Sequence, residues 1–419
     1  MMDLHQRARF LRHQRIKWIA SGCLALLILT AWTRQYVRYE LPPYPAKGWM
    51  DDCPMMLPGI VHRPPIEDNA LELYAEAAEA SRDGKATHAL GLLHQARGRQ
   101  HSAALRLDGR PRFPEMPNTA ALVSSTAEEV HRSLEEGDAS AAFERVEDLW
   151  ALAVGLSQDS PTWYLRRGAE VADAAADLDR EIRESGLATP AELRAHARSG
   201  ETILADLERP YRNVLAEAIY VEQMLIWAAA QSPDVLVGQL GLDPMSGPQR
   251  LSVFSKLDDT REWLNDRHAR AAEILAVGSM RVSHPRIREL DAQTVRDVRE
   301  RQDPVAELFM ISGTEALENY AAIASSISEG SARAALAAYH ADKGDYPASP
   351  SDLVPSYLTA EPFDPWTGHA LLYQKLPNEY LLYSADADGH ALDPRPTVSR
   401  FDASTHLVFG VEDLQGGLR

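Results

Sequence analysis

Tyr339-His340-Ala341-Asp342-Lys343-Gly344-Asp345-Tyr346-Pro347 closes a long helical stretch, and the texture of the chain changes after it. Gly344 stands where a C-terminal helix stop is expected, and Pro347 forbids the helix from resuming at once. Two further phrases follow in order, Asp364-Pro365-Trp366-Thr367-Gly368 and Tyr383-Ser384-Ala385-Asp386-Ala387-Asp388-Gly389. Each alone is an ordinary turn signal. Between and beyond them, Ser349-Pro350-Ser351-Asp352-Leu353 reads as the start of a short helix. Residues 370–373, 380–384 and 406–411 read as short antiparallel strands. Residues 344–419 are therefore expected to form a small α+β unit at the end of a mainly α chain.

Taken in this order and spacing, the three phrases resemble the globular domain of the major pseudopilin of type II secretion systems. The resemblance covers about residues 331–393. It implies a helix packed on a small sheet, with Tyr346 and Trp366 buried near the turns. It also implies a calcium site in the loop after Tyr383-Ser384. Asp388 falls on the position of that family's liganding Asp, with Asp386 beside it and Asp393 or Asp402 as the downstream carboxylate. A pseudopilin opens on a basic leader and a Phe-Thr-Leu-Ile-Glu run, whereas here the similar segment starts far into the chain. It is read as a borrowed module, not as the mark of a filament subunit.

The loop residues support calcium on chemical grounds as well, because a hard cation needs several oxygens on a loop that can curl. With Asp386 and Asp388 set as positions three and five of an EF-hand, position twelve would be Arg395, so that motif is excluded. An Asx-turn capping a hairpin is the metal-free alternative.

At the other end, residues 1–17 carry Arg7, Arg9, Arg12, Arg15 and Lys17 against Asp3, a net +4. That leaves −22 on the rest of a chain whose formal charge is −18. An acidic body repels phosphate backbones, so nucleic acid is not an expected partner. Residues 18–33 carry no charge and span roughly 24 Å as a helix, with Trp18 and Trp32 at its ends and Lys17 and Arg34 able to snorkel. The basic flank sets the orientation: residues 1–17 are expected in the cytoplasm, 18–34 as a single transmembrane anchor in a bacterial inner membrane, and the remainder outside. A cleaved signal peptide is the competing reading, without a small-x-small site to support it. Cys23 falls in the anchor and Cys53 beyond it, so no disulfide framework is expected.

Residues 35–65 are rich in proline and read as a stiff spacer. From 66 to 302 the pattern is helical, with apolar residues at three- and four-residue steps. Ser160-Pro161, Thr189-Pro190, Ser232-Pro233 and Asp303-Pro304 each place a capping side chain before a proline, and Gly84, Gly137 and Gly186 fit C-terminal stops. Helices are expected over 67–83, 86–107, 118–136, 138–158, 161–185, 190–207, 211–230, 250–277 and 285–301. A long connecting helix is expected over 303–343, striped by Val305, Phe309, Leu317, Tyr320, Ile323, Ile327, Ala335 and Tyr339. No fixed repeat period emerges, so the array is expected to be irregular.

Catalytic motifs are not legible. His88, His94 and His101 share a helical face but spread over about 20 Å, too far for one ion, and read as surface residues. The many helical carboxylates read as solvated faces. Trp163, Tyr164, Tyr211, Tyr220, Trp227 and Trp263 suit a core better than a groove. The reading reached is a membrane-anchored extracytoplasmic scaffold or interaction protein with a pseudopilin-like end, tied to secretion or envelope assembly through a protein partner. An envelope enzyme and a small-ligand or peptide binder are the alternatives.

Overall fold

The computed structural model describes residues 69–101, 103, 115–158, 160–229, 247–277, 279–377 and 379–384. The expected anchor, the proline-rich spacer, both cysteines, Ser232-Pro233, the strand at 406–411 and the calcium residues Asp386, Asp388 and Asp393 lie outside them. Among the described residues no helix is long and apolar enough to cross a membrane.

The helices are α1 Ala70–Arg82, α2 Ala86–Ala96, α3 Thr119–Glu135, α4 Ala139–Ser157, α5 Thr162–Glu184, α6 Pro190–Ala205, α7 Tyr211–Ala229, α8 Gly247–Ala276, α9 Met280–Arg301, α10 Pro304–Leu308 and α11 Gly313–Lys343. A one-turn 3-10 helix, Pro350–Leu353, and two strands, β1 Leu372–Lys375 and β2 Tyr380–Tyr383, complete the chain order. The strands form an antiparallel hairpin that pairs Leu372 with Tyr383 and Lys375 with Tyr380.

Most helix ends follow the capping chemistry of the sequence. Thr189 and Glu192 form a reciprocal capping box at α6, and Asp303 accepts from the backbone N–H groups of Val305 and Ala306. Gly84, Gly137, Gly186 and Gly344 all take the left-handed backbone, φ 69° to 76°, that ends a helix. The start of α5 departs from expectation. Ser160 turns back to the Leu156 carbonyl, and the N–H and hydroxyl of Thr162 donate instead to Glu217 of α7. A carboxylate from another helix thus caps α5.

Three helix boundaries correct the sequence reading. The helix expected over 86–107 ends at Ala96, where Arg97 turns extended and Gly98 takes the left-handed backbone at φ 78°. Helix α9 begins at Met280, so Pro285 lies inside it, and the N–H of Arg281 in its first turn donates to the Trp366 carbonyl at 2.9 Å. The expected single helix over 303–343 is broken at 309–312. Ser312 caps α11 through the Glu315 N–H, while Asp291 of α9 accepts from Ser312 Oγ and from the N–H groups of Gly313 and Thr314. These bonds satisfy the free donors of a new helix start, which an unbroken helix would not leave. Close packing fixes Gly313 as well, because a Cβ there would collide with the Ile287 side chain.

Four helices make the centre. Helix α4 packs on α5, and α11 packs on both α5 and α6. From Val146 to Ser157 every residue of α4 is buried except Ala151, which marks it as a helix with no solvent face there. Helix α11 is about 46 Å long and rich in Ala, Ser and Gly, so its neighbours approach closely. A Cβ on Gly330 would lie 2.7 Å from the Trp150 indole. Helices α1–α3 cover α4 on one side, while α7–α10 pair with one another and reach α11 on the other. One buried apolar cluster runs from Ala70 to Leu382.

Residues 344–384 lie on this body, and the second and third phrases meet. Asp364 accepts from the Trp366 N–H, the Thr367 hydroxyl and the Ser384 hydroxyl, which joins the second phrase to the third. Tyr346 of the first phrase stacks on His340 at 4.4 Å and meets Tyr380 of β2 edge-on at 4.8 Å. Tyr346 and Trp366 are half-buried, not buried as expected. Helix α6 clamps the segment: Arg194 pairs with Asp342, Arg198 donates to the Pro355 and Ser356 carbonyls, and Glu201 accepts from the Thr359 and Ala360 N–H groups.

Candidate functional site

The densest ionisable cluster lies inside the four-helix centre, around His196 of α6. On α4, Phe143, Glu147 and Trp150 fall on one face at i, i+4 and i+7. The imidazole of His196 stacks on Phe143 at 4.1 Å and on Trp150 at 4.8 Å. Its Nδ1 lies 2.9 Å from Glu147 Oε1 and its Nε2 lies 3.1 Å from Asp179 Oδ1 of α5. Two carboxylate acceptors require two N–H donors, so His196 is an imidazolium.

Each carboxylate has a second cation. Arg97 and Ser199 Oγ both donate to Glu147 Oε2, and Arg183, one helical turn after Asp179, places Nε 3.0 Å from Asp179 Oδ2. The electrostatics follow from this order. Burial alone pulls the His196 pKa down, but hydrogen bonds and charge from Asp179 and Glu147 outweigh it and hold the pKa above its ordinary value. Burial pushes the carboxyls of Glu147 and Asp179 up. His196 with Arg97, and Arg183 with His196, reverse that and hold both below the usual carboxylate range.

Asp148 is the neighbour with a different balance. Burial raises its pKa to about 6, opposed by Arg145, His94 and Arg97. Arg145 Nη1 lies 2.8 Å from Asp148 Oδ2 and His94 Nδ1 lies 3.1 Å from Oδ1. Most helical carboxylates are expected on solvated faces; Glu147, Asp148 and Asp179 are exceptions, all buried. A sequence signal existed in α4: two adjacent acids sit inside a run that is apolar on all sides from Val146 to Leu156.

Chemically the array is a carboxylate–imidazolium–carboxylate relay with arginines at both ends. The His196 side chain is 0% exposed and Asp179 1%. With both ring nitrogens engaged, no lone pair is left to act as a base, and no substrate atom reaches the ring. The cluster cross-links α4, α5 and α6 at one point, and removal of one partner would leave an uncompensated buried charge.

The other residues singled out by sequence disperse. His88 lies 3.8 Å from Glu76 on the surface, and His94 joins Asp148. His101 is not a surface residue: it is buried beside Tyr74 with Nδ1 3.3 Å from the Gln158 carbonyl, and burial lowers its pKa to about 4. Tyr164 and Tyr220 are core, Trp163 meets Tyr220 edge-on at 5.9 Å, and Tyr211 packs against the core. Trp263 carries the guanidiniums of Arg267 and Arg301 within 5.4 Å and 5.3 Å of its ring. The described residues hold no group of three or more His, Cys, Asp or Glu able to bind a metal. The fold and cluster define a mainly helical protein with a small β-hairpin near its C-terminal end and a sealed ionic core. Comparison with protein-family models, curated proteins and solved structures finds no match to this chain.

Proposed function

We propose that the protein is a membrane-anchored, extracytoplasmic scaffold or interaction protein of the bacterial inner membrane, tied to secretion or envelope assembly, with a pseudopilin-like C-terminal segment. The basic tip and the charge-free residues 18–33 support the anchor and put the N-terminus in the cytoplasm. The observation that carries the interaction reading is a corner of exposed apolar side chains. Val277 is 64% exposed and Val282 54% at the turn from α8 into α9, and Phe363 is 40% exposed. The Arg281–Trp366 backbone bond and the edge-on contact of His284 with Trp366 at 5.4 Å bring the turn and the 363–366 loop together. Such side chains on a rigid body suit a protein partner.

A photo-crosslinking residue at Val282 or Phe363, in the full chain in its native membrane, should capture a discrete envelope protein that Glu136 on the α3–α4 turn does not. Equal labelling from all three positions would refute the corner as the contact. The calcium proposal, Asp388 with Asp386 and Asp393, is tested by melting: Asp388→Ala should lower Tm in calcium and change little in chelator. Equal losses leave only the turn.

A further inference from the structure

Beneath the break between α10 and α11 lies a small chamber of mixed lining. It has a volume of about 10 Å³ and is lined by Arg267 and His268 of α8, Asp291 and Thr294 of α9, and Met310 and Ile311 of the break itself, with Leu264, Ala271 and Leu290 closing the sides. His268 is 2% exposed. Nε and Nη1 of Arg267 and the ring nitrogens of His268 make no hydrogen bond of normal geometry among the described residues, the Phe309 backbone carbonyl offering the ring only a poorly aligned one. Arg267 spends Nη2 on Asp297. Buried polar atoms from two adjacent residues of one helix, both lining one chamber, are too costly to leave unmatched.

We propose that this chamber is a binding site for a single water molecule, which links α8 to α9 under the joint. The size fits, since one water needs roughly 10–15 Å³ of such space. The polarity fits too. A water accepts from Arg267, and donates to the unprotonated nitrogen of a neutral His268 and to the Asp291 carboxylate. Asp291 already accepts from Ser312, Gly313 and Thr314, so the same carboxylate ties the bridged water to the first turn of α11. A metal ion is disfavoured by the Arg267 guanidinium, and a halide by the buried carboxylate. The water thus adds a second polar link between α8 and α9 beside the Arg267–Asp297 ion pair.

The test is a crystal structure of the full chain at a resolution that orders internal waters, with a parallel bromide soak. We expect one oxygen-sized peak within hydrogen-bond distance of both His268 and Arg267, and no anomalous signal there. In His268→Leu that peak should be lost while the neighbouring helices keep their places. An anomalous bromide peak in the chamber overturns the proposal in favour of a halide. A chamber without density, or one in which His268 turns to bond protein directly, overturns it outright. Should His268→Leu fail to fold, the wild-type map and magnetic relaxation dispersion of labelled water decide. His268→Gln should keep one long-lived water, and a variant with the same count as wild type after Thr294→Val and His268→Leu together would contradict the site.

Discussion

Two buried histidines within one fold have their pKa values displaced in opposite directions. His196 lies where three helices converge, between two carboxylates, and burial is overcome. His268 lies where a helix has been broken, beside an arginine, and burial wins: its pKa falls to about 4, with the Phe309 backbone only partly offsetting it. The residue type is the same and both rings are inaccessible. What differs is whether facing carboxylates hydrogen-bond the ring, as Asp179 and Glu147 do at His196, or burial is opposed by a backbone carbonyl alone, as at His268; burial by itself does not decide the protonation state of a core histidine.

The largest expected effect comes from unbalancing the first site. Asp179→Ala leaves His196 and Arg183 with one acceptor fewer in the core and should cost about 3–5 kcal/mol in denaturant unfolding. A loss below about 1 kcal/mol, the size of an exposed pair, would show the cluster to be solvated.

Opposite pH dependences should separate the two sites next. His196 has a folded pKa above its unfolded value of 6.5, so its contribution is fully present below that pH and is lost as pH rises through the folded pKa. His268 has a lowered folded pKa, so its unfolded form takes the proton first. Stability is complete above 6.5 and falls as pH drops toward about 4, by up to about 3 kcal/mol. His101, lowered in the same way, adds to the acid loss. Removal of the ionisable group in His268→Gln should flatten part of the acid limb and leave the alkaline limb unchanged. An unchanged acid limb would remove His268 from the account.

A smaller effect belongs to Glu217, which caps α5 from α7. Burial raises its pKa to about 7, opposed by its bonds to Thr162. The folded state therefore holds the proton more tightly than the unfolded chain does. That contribution is full below 4.5 and is lost as pH rises through about 7. Glu217→Ala should cost about 1–2 kcal/mol as a lost cap and abolish that slope. A slope that survives would place the titration elsewhere.

Much of the helical order was legible because caps and stops are local chemistry. Thr189-Pro190-Ala191-Glu192 and Gly344 need no tertiary information to be read. The break at 309–312 was masked by the apolar stripe that runs through Phe309 and Leu317, although Ser312-Gly313-Thr314-Glu315 carries a capping pattern in plain view. The ionic core was not legible in the same way. Glu147, Asp179 and His196 stand 32 and 17 residues apart along the chain, and only the packing of α4, α5 and α6 brings them within hydrogen-bond reach. Nor does any local pattern tell that α5 borrows its cap from Glu217, 55 residues away.

Nitrogen NMR of the full chain with labelled histidine side chains tests the central contrast most directly, since it reads each ring's protonation without perturbing it. At a pH above the ordinary histidine value of about 6.5, His196 should show two protonated nitrogens and His268 the split pair of a neutral tautomer. A neutral His196 under those conditions, or a His268 that titrates near 6.5, would contradict the account.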